Sequence, residues 1–188
     1  LKGKTEELNL FNLLNTNSII PQLIKTEILN NNNLNLKFNI NAEKILNYNN
    51  FVNILLNSKI KEGLIDIDNT KFEWKNDAKF KLSESSIYIK DGELILEAKT
   101  QINLVNNDEI YKFLQIPKNL RKKIKKIELN FNYNFDQKII DINDIRIDNK
   151  SIQKVNEIFK SISIKNNDLQ NKIYFRNLLN NALKNYVG

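Results

Sequence analysis

The chain of 188 residues contains no cysteine and no histidine. Disulfides, thiolate or imidazole metal sites, cysteine nucleophiles and Ser-His-Asp triads are therefore excluded. Because a lack of cysteine fits every compartment, it does not indicate the redox environment. Glycine (4) and proline (2) are scarce, and the sequence has no Gly-rich phosphate loop and no nucleophile elbow. We therefore expect a protein that is not an enzyme and that carries no cofactor.

Long apolar runs are also missing from the sequence. No segment approaches the roughly 20 consecutive apolar residues that span a bilayer, and the first residues do not form a signal peptide. The chain opens at Leu1 instead of Met, so we expect a fragment or a processed chain whose membrane anchor, if it has one, lies outside this segment. A composition of 41% hydrophobic and 27% charged residues is typical of a folded domain.

Positive charge is in excess: the net charge is +7 and the sequence pI is about 9.4. Such a balance favours contact with an anionic partner. An acidic membrane surface, an acidic protein and nucleic acid are all compatible with the charge alone.

The dominant pattern that is present is a strict alternation of apolar and polar residues. Ile127–Phe135 is the clearest case, because every second residue in it is bulky and hydrophobic. Since successive side chains of a strand point to opposite faces, each such segment predicts a strand with one apolar face and one polar face. The other alternating segments begin at Leu34, Phe72, Phe80, Ile87, Leu94 and Ile102.

Turn signals between these segments, Ser83–Ser86 among them, predict an antiparallel meander from Leu34 to about Val105. The segment Lys61-Glu62-Gly63 recurs 29 residues later as Lys90-Asp91-Gly92, and each copy leads into an apolar segment. Two copies of a Lys-acid-Gly turn indicate a repeated hairpin unit within an extending sheet.

The ends of the chain have a different pattern. Residues 1–33 are predicted to be a lead-in or linker, in which Lys2 to Leu14 is the one candidate helix and Pro21 a breaker. Residues 34–150 form the sheet domain, with a short helix and a basic segment at 107–126. Residues 151–188 form a tail of two helices, which begin near Ser151 and Asn167, and the second helix carries one apolar stripe of Leu169, Ile173, Leu179, Ala182, Leu183 and Tyr186. The predicted fold class is β-rich α+β: a long twisted antiparallel sheet with a one-sided hydrophobic groove and C-terminal amphipathic helices.

An area comparison favours the groove over a fully covered sheet. Eight strands spaced ~4.8 Å apart and ~25 Å long present about 950 Å² on one face. Two terminal helices shade only about 480 Å² of it. We expect acyl chains to occupy the remainder, against a wall formed by Phe72, Trp74, Phe80, Leu82, Leu94, Leu96, Leu129, Phe131 and Phe135. The alternative is an ordinary closed core between two sheets or beneath the terminal helices.

A cluster of cations lies between Lys118 and Lys126. Leu120, Ile124 and Ile127 recur at helical spacing, so the charged residues occupy the wetter sides of the predicted turn. Contact with an anionic surface would add about 1 kcal/mol per basic residue; the alternative is a solvated helical turn. Nucleic acid is disfavoured because the aromatic residues alternate into a buried face and do not interleave with arginine. The predicted contact residues are Arg121, Lys122, Lys123, Lys125 and Lys126.

Acidic residues offer a further candidate site. Paired carboxylates can hold a hard cation or transfer protons. Asp66 and Asp68, however, flank Ile67 at the spacing of one polar strand face. We expect structural carboxylates and no metal site; the same holds for the group Asp141, Asp144 and Asp148.

The order of these segments from about Leu34 to Gly188 resembles the C-terminal region of bacterial AsmA-like proteins. The resemblance covers roughly four-fifths of the chain and depends on order and spacing, because no single motif is specific. The segments that carry it are Lys61-Glu62-Gly63-Leu64-Ile65-Asp66-Ile67, Phe72-Glu73-Trp74-Lys75, Asp91-Gly92-Glu93-Leu94-Ile95-Leu96, Asp108-Glu109-Ile110-Tyr111-Lys112-Phe113, Pro117, Leu120–Ile127 and Ile145-Arg146-Ile147-Asp148.

This resemblance implies a periplasmic segment of an inner-membrane-anchored envelope protein. Such proteins carry a long β-trough that is thought to pass phospholipids toward the outer membrane, and they have no catalytic residues. It implies phospholipid or another acyl lipid, an anionic membrane surface and envelope proteins as partners, and a role in lipid transport and outer-membrane biogenesis. This sequence lacks the anchor and most of the long β region of that family. The alternative function is a structural or protein-interaction β domain with a closed core and a basic docking segment.

Overall fold

The computed structural model describes residues 1–10, 15–26, 28–31, 33–165 and 172–186. Eleven strands in these residues join one large mixed sheet, which confirms the predicted β-rich fold. The strands are β1 Lys2–Leu8, β2 Asn35–Ile45, β3 Tyr48–Lys61, β4 Leu64–Asp66, β5 Lys71–Trp74, β6 Ala78–Lys90, β7 Glu93–Leu104, β8 Lys126–Asn134, β9 Ile139–Ile147, β10 Lys150–Ser151 and β11 Ser163–Lys165.

The sheet is a meander from β2 to β10 with one interruption. Its order is β1-β2-β3-β4-β6-β7-β8-β9-β10, and β5 continues the position of β4 between β3 and β6. All pairs are antiparallel except β1 with β2, which is parallel. The purely antiparallel sheet predicted from the sequence is therefore wrong at β1.

Residues 1–33 contribute structure that the sequence did not predict. Lys2–Leu8 is a strand and not part of a helix, and only Leu8 within it is buried. Pro21 does not break the following element, since it lies in the first turn of helix α1, Ile19–Lys25. A proline is tolerated there because the first amides of a helix have no intrahelical partner. Parts of the predicted lead-in therefore form a strand and a helix.

One face of the sheet carries an apolar row from β2 to β11. A single row of paired positions crosses eight strands, and every position in it is apolar. Because cross-strand partners point to the same side of a sheet, these side chains form one continuous apolar line. The row consists of Leu36, Ile60, Ile65, Ile87, Leu96, Tyr133, Ile140 and Ile164.

Both Lys-acid-Gly segments form the same two-residue hairpin turn. Glu62 and Gly63 have φ angles of 52° and 81°, and Asp91 and Gly92 have 52° and 79°. Two successive positive φ values define the type I′ turn, whose twist matches that of the flanking strands. The Ser83–Ser86 segment, predicted as a turn, is instead an irregularity inside β6 where its pairing with β7 shifts register.

Helices cover two parts of the apolar face. Helix α1 packs over the middle of the sheet, where Ile24 joins a buried cluster with residues of β4, β6 and β7. Over β8 and β9 lie α2 Asn107–Phe113, a short 3₁₀ turn Lys118–Leu120, α3 Gln153–Lys160 and α4 Lys172–Asn185. A third cluster lies between β1, β2 and β3.

The structure of the C-terminal tail differs in part from the prediction. Its two helices are present, but β10 and β11 also extend the sheet by pairing with β9. Ile173, expected on the apolar stripe of the last helix, is 62% exposed. The predicted start of that helix at Asn167, with Leu169, lies outside the described residues.

Candidate functional site

Two predicted wall residues, Phe72 and Phe80, belong to a half-buried group of phenylalanines where β3, β5 and β6 meet. The rings of Phe72 and Phe80 are paired across β5 and β6 and stack at a centroid distance of 4.6 Å. Phe51, from β3, meets their edges at 5.8 Å and 6.3 Å. All three rings stay partly accessible to solvent. Phe51 was not among the predicted wall residues, because Asn53, with a φ of 53°, lies where β3 shifts register and breaks its alternation.

Three predicted wall residues are covered by the protein itself. Leu94 is 2% exposed, Phe135 3% and Leu82 9%, and all three share a cluster with Ile24 of α1. Lys25 at the end of α1 forms an ion pair with Asp136, which also accepts a hydrogen bond from the Leu94 amide at 2.8 Å. Helix α1 is therefore fixed over this part of the face, where the sequence predicted open surface.

The remaining wall residues lie in separate surroundings. Leu96 and Phe131 pack, half-buried, against the cluster beneath α1. Leu129 packs against the cluster beneath the C-terminal helices. The Trp74 ring meets Phe113 of α2 edge-on at 4.9 Å. The nine predicted residues thus share one face of the sheet but do not form one contiguous patch.

Two shallow cavities lie away from these residues. One is lined by β1, β2 and β3 around Asn41 and Ile54, and the other by α1 and the β3–β4 turn around Ile24 and Gly63. Neither cavity includes any of the nine predicted wall residues.

The basic segment is extended and not helical beyond the 3₁₀ turn that ends at Leu120. Hydrogen bonds to residues distant in the sequence hold its main chain in place. The helical spacing of its apolar residues does not predict these hydrogen bonds. Asn107 binds both main-chain groups of Ile124, with its amide donating at 2.9 Å and its oxygen accepting at 3.2 Å. The Tyr111 hydroxyl donates to the Lys122 carbonyl at 2.6 Å.

Asp148 fixes the end of the basic segment. Its Oδ1 accepts the amides of Lys125 and Lys126, each at 2.9 Å, and its Oδ2 accepts the Tyr186 hydroxyl at 3.1 Å. Burial raises the pKa of this carboxyl, but the hydrogen bonds outweigh burial and leave the pKa below its ordinary value of 3.8. The C-terminal helix and the basic segment are thereby joined through one charged side chain.

The predicted contact cations differ in their surroundings. Lys126 pairs with Glu128 at 3.1 Å, and Arg121 Nε donates to the Ile116 carbonyl at 3.0 Å. Within the described ranges, the ammonium groups of Lys122, Lys123 and Lys125 make no ion pair. These three charges are therefore available on a main chain that is fixed in place.

The acidic candidates act as acceptors for structural hydrogen bonds. Asp68 Oδ1 accepts the Ser85 amide at 2.7 Å and its hydroxyl at 2.6 Å, which closes the irregular part of β6. Asp66 Oδ1 accepts the Asp68 amide at 2.7 Å. Asp141 accepts the Ser163 hydroxyl and Asp144 the Arg146 guanidinium, at 2.6 Å and 3.1 Å. Over the residues that the structure describes, no group of three or more potential ligands could hold a metal ion.

Comparison with known proteins adds no family assignment. No protein-family model, curated protein or solved structure matches this chain. Among the described residues, no helix has the length and apolar character needed to cross a bilayer.

Proposed function

We propose that this chain is a non-catalytic segment of an AsmA-like envelope protein that shelters lipid acyl chains on its apolar sheet face. In this proposal it contributes to phospholipid transport and outer-membrane biogenesis from a periplasmic position. The main support for this proposal is the apolar row that crosses eight strands without a polar interruption. Helices cover part of this face, but its row residues other than Ile65 and Ile164 stay partly accessible to solvent.

The Phe51, Phe72 and Phe80 rings are the proposed contact for the chain. They lie beside the part of the face that α1 covers and stay half-buried, so an acyl chain would complete their burial. Removing a large apolar side chain from water is favourable by about 1.5–3 kcal/mol, which is ample to hold a hydrocarbon chain when several residues take part. The chain would lie along the sheet and not in either shallow cavity.

The basic segment supports the same proposal from a different direction. Lys122, Lys123 and Lys125 present unpaired charge from a fixed main chain, which suits anionic lipid headgroups. The proposed partners are thus an acyl lipid, an anionic membrane surface and envelope proteins.

Lipid extraction and mass spectrometry of the purified protein test the proposal. Near-stoichiometric lipid is expected in the wild-type chain, and Phe80→Asp should lower lipid affinity about 10- to 100-fold, because a charge replaces a wall residue. Tyr88→Asp is the matched control, since Tyr88 is a half-buried aromatic residue on the opposite face of the same strand, paired with Ile95. Circular dichroism verifies that both variants fold.

A second measurement does not depend on any variant. Delipidated wild-type protein should bind a fluorescent fatty acid, and phospholipid should displace it. Absence of both extracted lipid and probe binding would rule out the acyl-chain function. The alternative, a structural or interaction domain with a closed core, would then stand; the burial of Leu82, Leu94 and Phe135 beneath α1 is the observation that favours it.

A further inference from the structure

Strand β1 is the outermost strand on its side of the sheet, and no other strand of the described residues pairs with its outer edge. The Leu1 nitrogen donates to the Lys37 carbonyl at 2.7 Å, and the Leu1 carbonyl accepts the Asn39 amide at 3.0 Å. Alternate residues of a strand direct their main-chain groups to opposite edges. Gly3 and Thr5 therefore face β2, and Lys2, Lys4 and Glu6 direct their amides and carbonyls outward; the alternation ends at Leu8, whose carbonyl accepts the Leu46 amide of the β2 side at 3.0 Å.

The charges along this edge are segregated by sign. Lys2 and Lys4 occupy the first half of β1 and Glu6 the second half, and all three side chains are exposed. They share the polar face of the sheet, because Lys4 lies beside Asn41 in the register with β2. Over the described parts of the chain, neither Lys4 nor Glu6 takes part in an ion pair.

We propose that β1 pairs antiparallel with β1 of a second copy of this chain, with Thr5 opposite Thr5 on a two-fold axis. This register places Lys4 of each copy opposite Glu6 of the other. Because the outward main-chain groups belong to these same residues, the register also gives two hydrogen-bonded pairs, each with two N–H···O bonds. Cross-strand charges of opposite sign on one face stabilise such a pair.

The charged side chains of β1 determine which strand can pair with its outer edge and whether that pairing is parallel or antiparallel. Charged side chains on an edge strand usually prevent pairing with other chains. Here the separation of sign along β1 makes the edge complementary to itself when antiparallel and repulsive when parallel. A self-complementary patch of this kind is what a two-fold dimer requires. This inference is independent of the proposed lipid function.

Light scattering over a concentration series of the 188-residue chain, from about 10 µM to about 1 mM, measures the association. Wild type is expected to dimerise, and added salt should weaken the dimer. Lys4→Glu and Glu6→Lys should each raise the dimer Kd at least about tenfold, because each variant places like charges opposite one another twice. The double variant Lys4→Glu/Glu6→Lys should restore the wild-type Kd, because it exchanges the two signs.

Mixing the two single variants gives the most specific test of the proposed register. An equimolar mixture of Lys4→Glu and Glu6→Lys should form a heterodimer, since one chain then carries two glutamates and the other two lysines at the paired positions. Neither single variant should dimerise as well alone. A heterodimer no tighter than the two homodimers would overturn this register.

Cysteine trapping tests the axis directly. The chain has no native cysteine, and Thr5→Cys should cross-link on mild oxidation because a non-hydrogen-bonded antiparallel pair brings its Cα atoms to about 4.5 Å. Gly3→Cys is the control: a Cβ there has its nearest neighbour at 3.9 Å, so the site accepts it, but in the proposed register Gly3 lies opposite Glu7. A monomer throughout the concentration series, or equal cross-linking at both positions, contradicts the proposal.

Discussion

The side chain of Asn156 forms hydrogen bonds to the main chain of β9 at a point where a neighbouring strand would otherwise pair. Its Oδ1 accepts the Ile145 amide at 2.8 Å, and its Nδ2 donates to the Ile145 carbonyl at 2.9 Å. On this edge of β9, β11 pairs from Ile139 to Asp141 and β10 pairs at Arg146 and Ile147, so no strand of the described residues pairs with Ile145 there. The amide group of Asn156 takes the place of the missing strand and holds α3 against the sheet.

Replacing Asn156 with leucine should destabilise the protein by about 2–6 kcal/mol. The substitution leaves a buried N–H and a buried C=O of Ile145 without partners, and each unsatisfied group costs about 1–3 kcal/mol. Urea denaturation followed by circular dichroism measures the change in the free energy of unfolding. Asn181→Leu, at an exposed position of α4, is the control and should change that free energy by less than about 0.5 kcal/mol. A fully stable Asn156→Leu protein would show that the two hydrogen bonds are dispensable.

The hydrogen-bond partners of single residues such as Asn156 cannot be predicted from the sequence. An asparagine in a chain rich in asparagine carries no signal that it binds a strand eleven residues away. Asp148 is similar: the sequence places it after a strand, but only the fold brings it to Lys125, Lys126 and Tyr186. The alternation of large apolar residues, by contrast, depends on local geometry alone, and so it predicted β8 to within one residue at each end.

The two Lys-acid-Gly hairpin turns are alike in backbone and different in surroundings. A Cβ added at Gly92 would meet no atom of the described residues within 4 Å, whereas one at Gly63 would collide with the side chain of Asn30. The β3–β4 turn is thus packed against the connection between α1 and β2, and the β6–β7 turn is open.

Alanine at these two glycines should therefore have unequal effects. Gly92→Ala should cost about 1–2 kcal/mol, because only the positive φ opposes it. Gly63→Ala should cost more, since the Asn30 side chain must also move. Thermal unfolding of both variants and of Gly63→Ala/Asn30→Ala measures the difference. The double variant should recover part of the additional loss; equal costs for the two single variants would contradict the packing.

The strands and helices that could not be predicted from the sequence have weak local patterns. β1 buries only Leu8 and pairs in parallel with a strand more than thirty residues away, so its apolar periodicity is slight. Pro21 was interpreted as a breaker because its place in the first helical turn depends on where the helix begins. Helix α1 then covers surface that the sequence left open, which is why Leu82, Leu94 and Phe135 are more buried than predicted.

The molecule as a whole carries +7, and the position of that charge determines what it can bind. The unpaired lysines of the basic segment lie beyond the end of β7, on a main chain fixed by Asn107 and Asp148. Other lysines, such as Lys37 and Lys59, face each other on the polar side of the sheet. Net charge and local charge can therefore be separated by experiment.

Reversing Lys122, Lys123 and Lys125 to glutamate should weaken binding to vesicles that contain anionic phospholipid at least about 100-fold at low salt, because each lysine contributes about 1 kcal/mol near such a surface. The control reverses Lys37, Lys59 and Lys71, which changes the net charge by the same amount on the polar face. Vesicle co-sedimentation compares the two. Equal losses would mean that overall charge, and not the basic segment, governs membrane contact.

The apolar row that crosses eight strands restricts how the length of this protein can change. One extra residue within β7 would turn all side chains on one side of the insertion to the wrong face of the sheet. Insertions and deletions are thus tolerable inside strands only in pairs, or where an irregular position such as Ser83–Ser86 absorbs the odd residue. Growth by whole hairpins, each closed by a two-residue glycine turn, leaves the row intact, so a sheet of this design can widen while its strands keep their length.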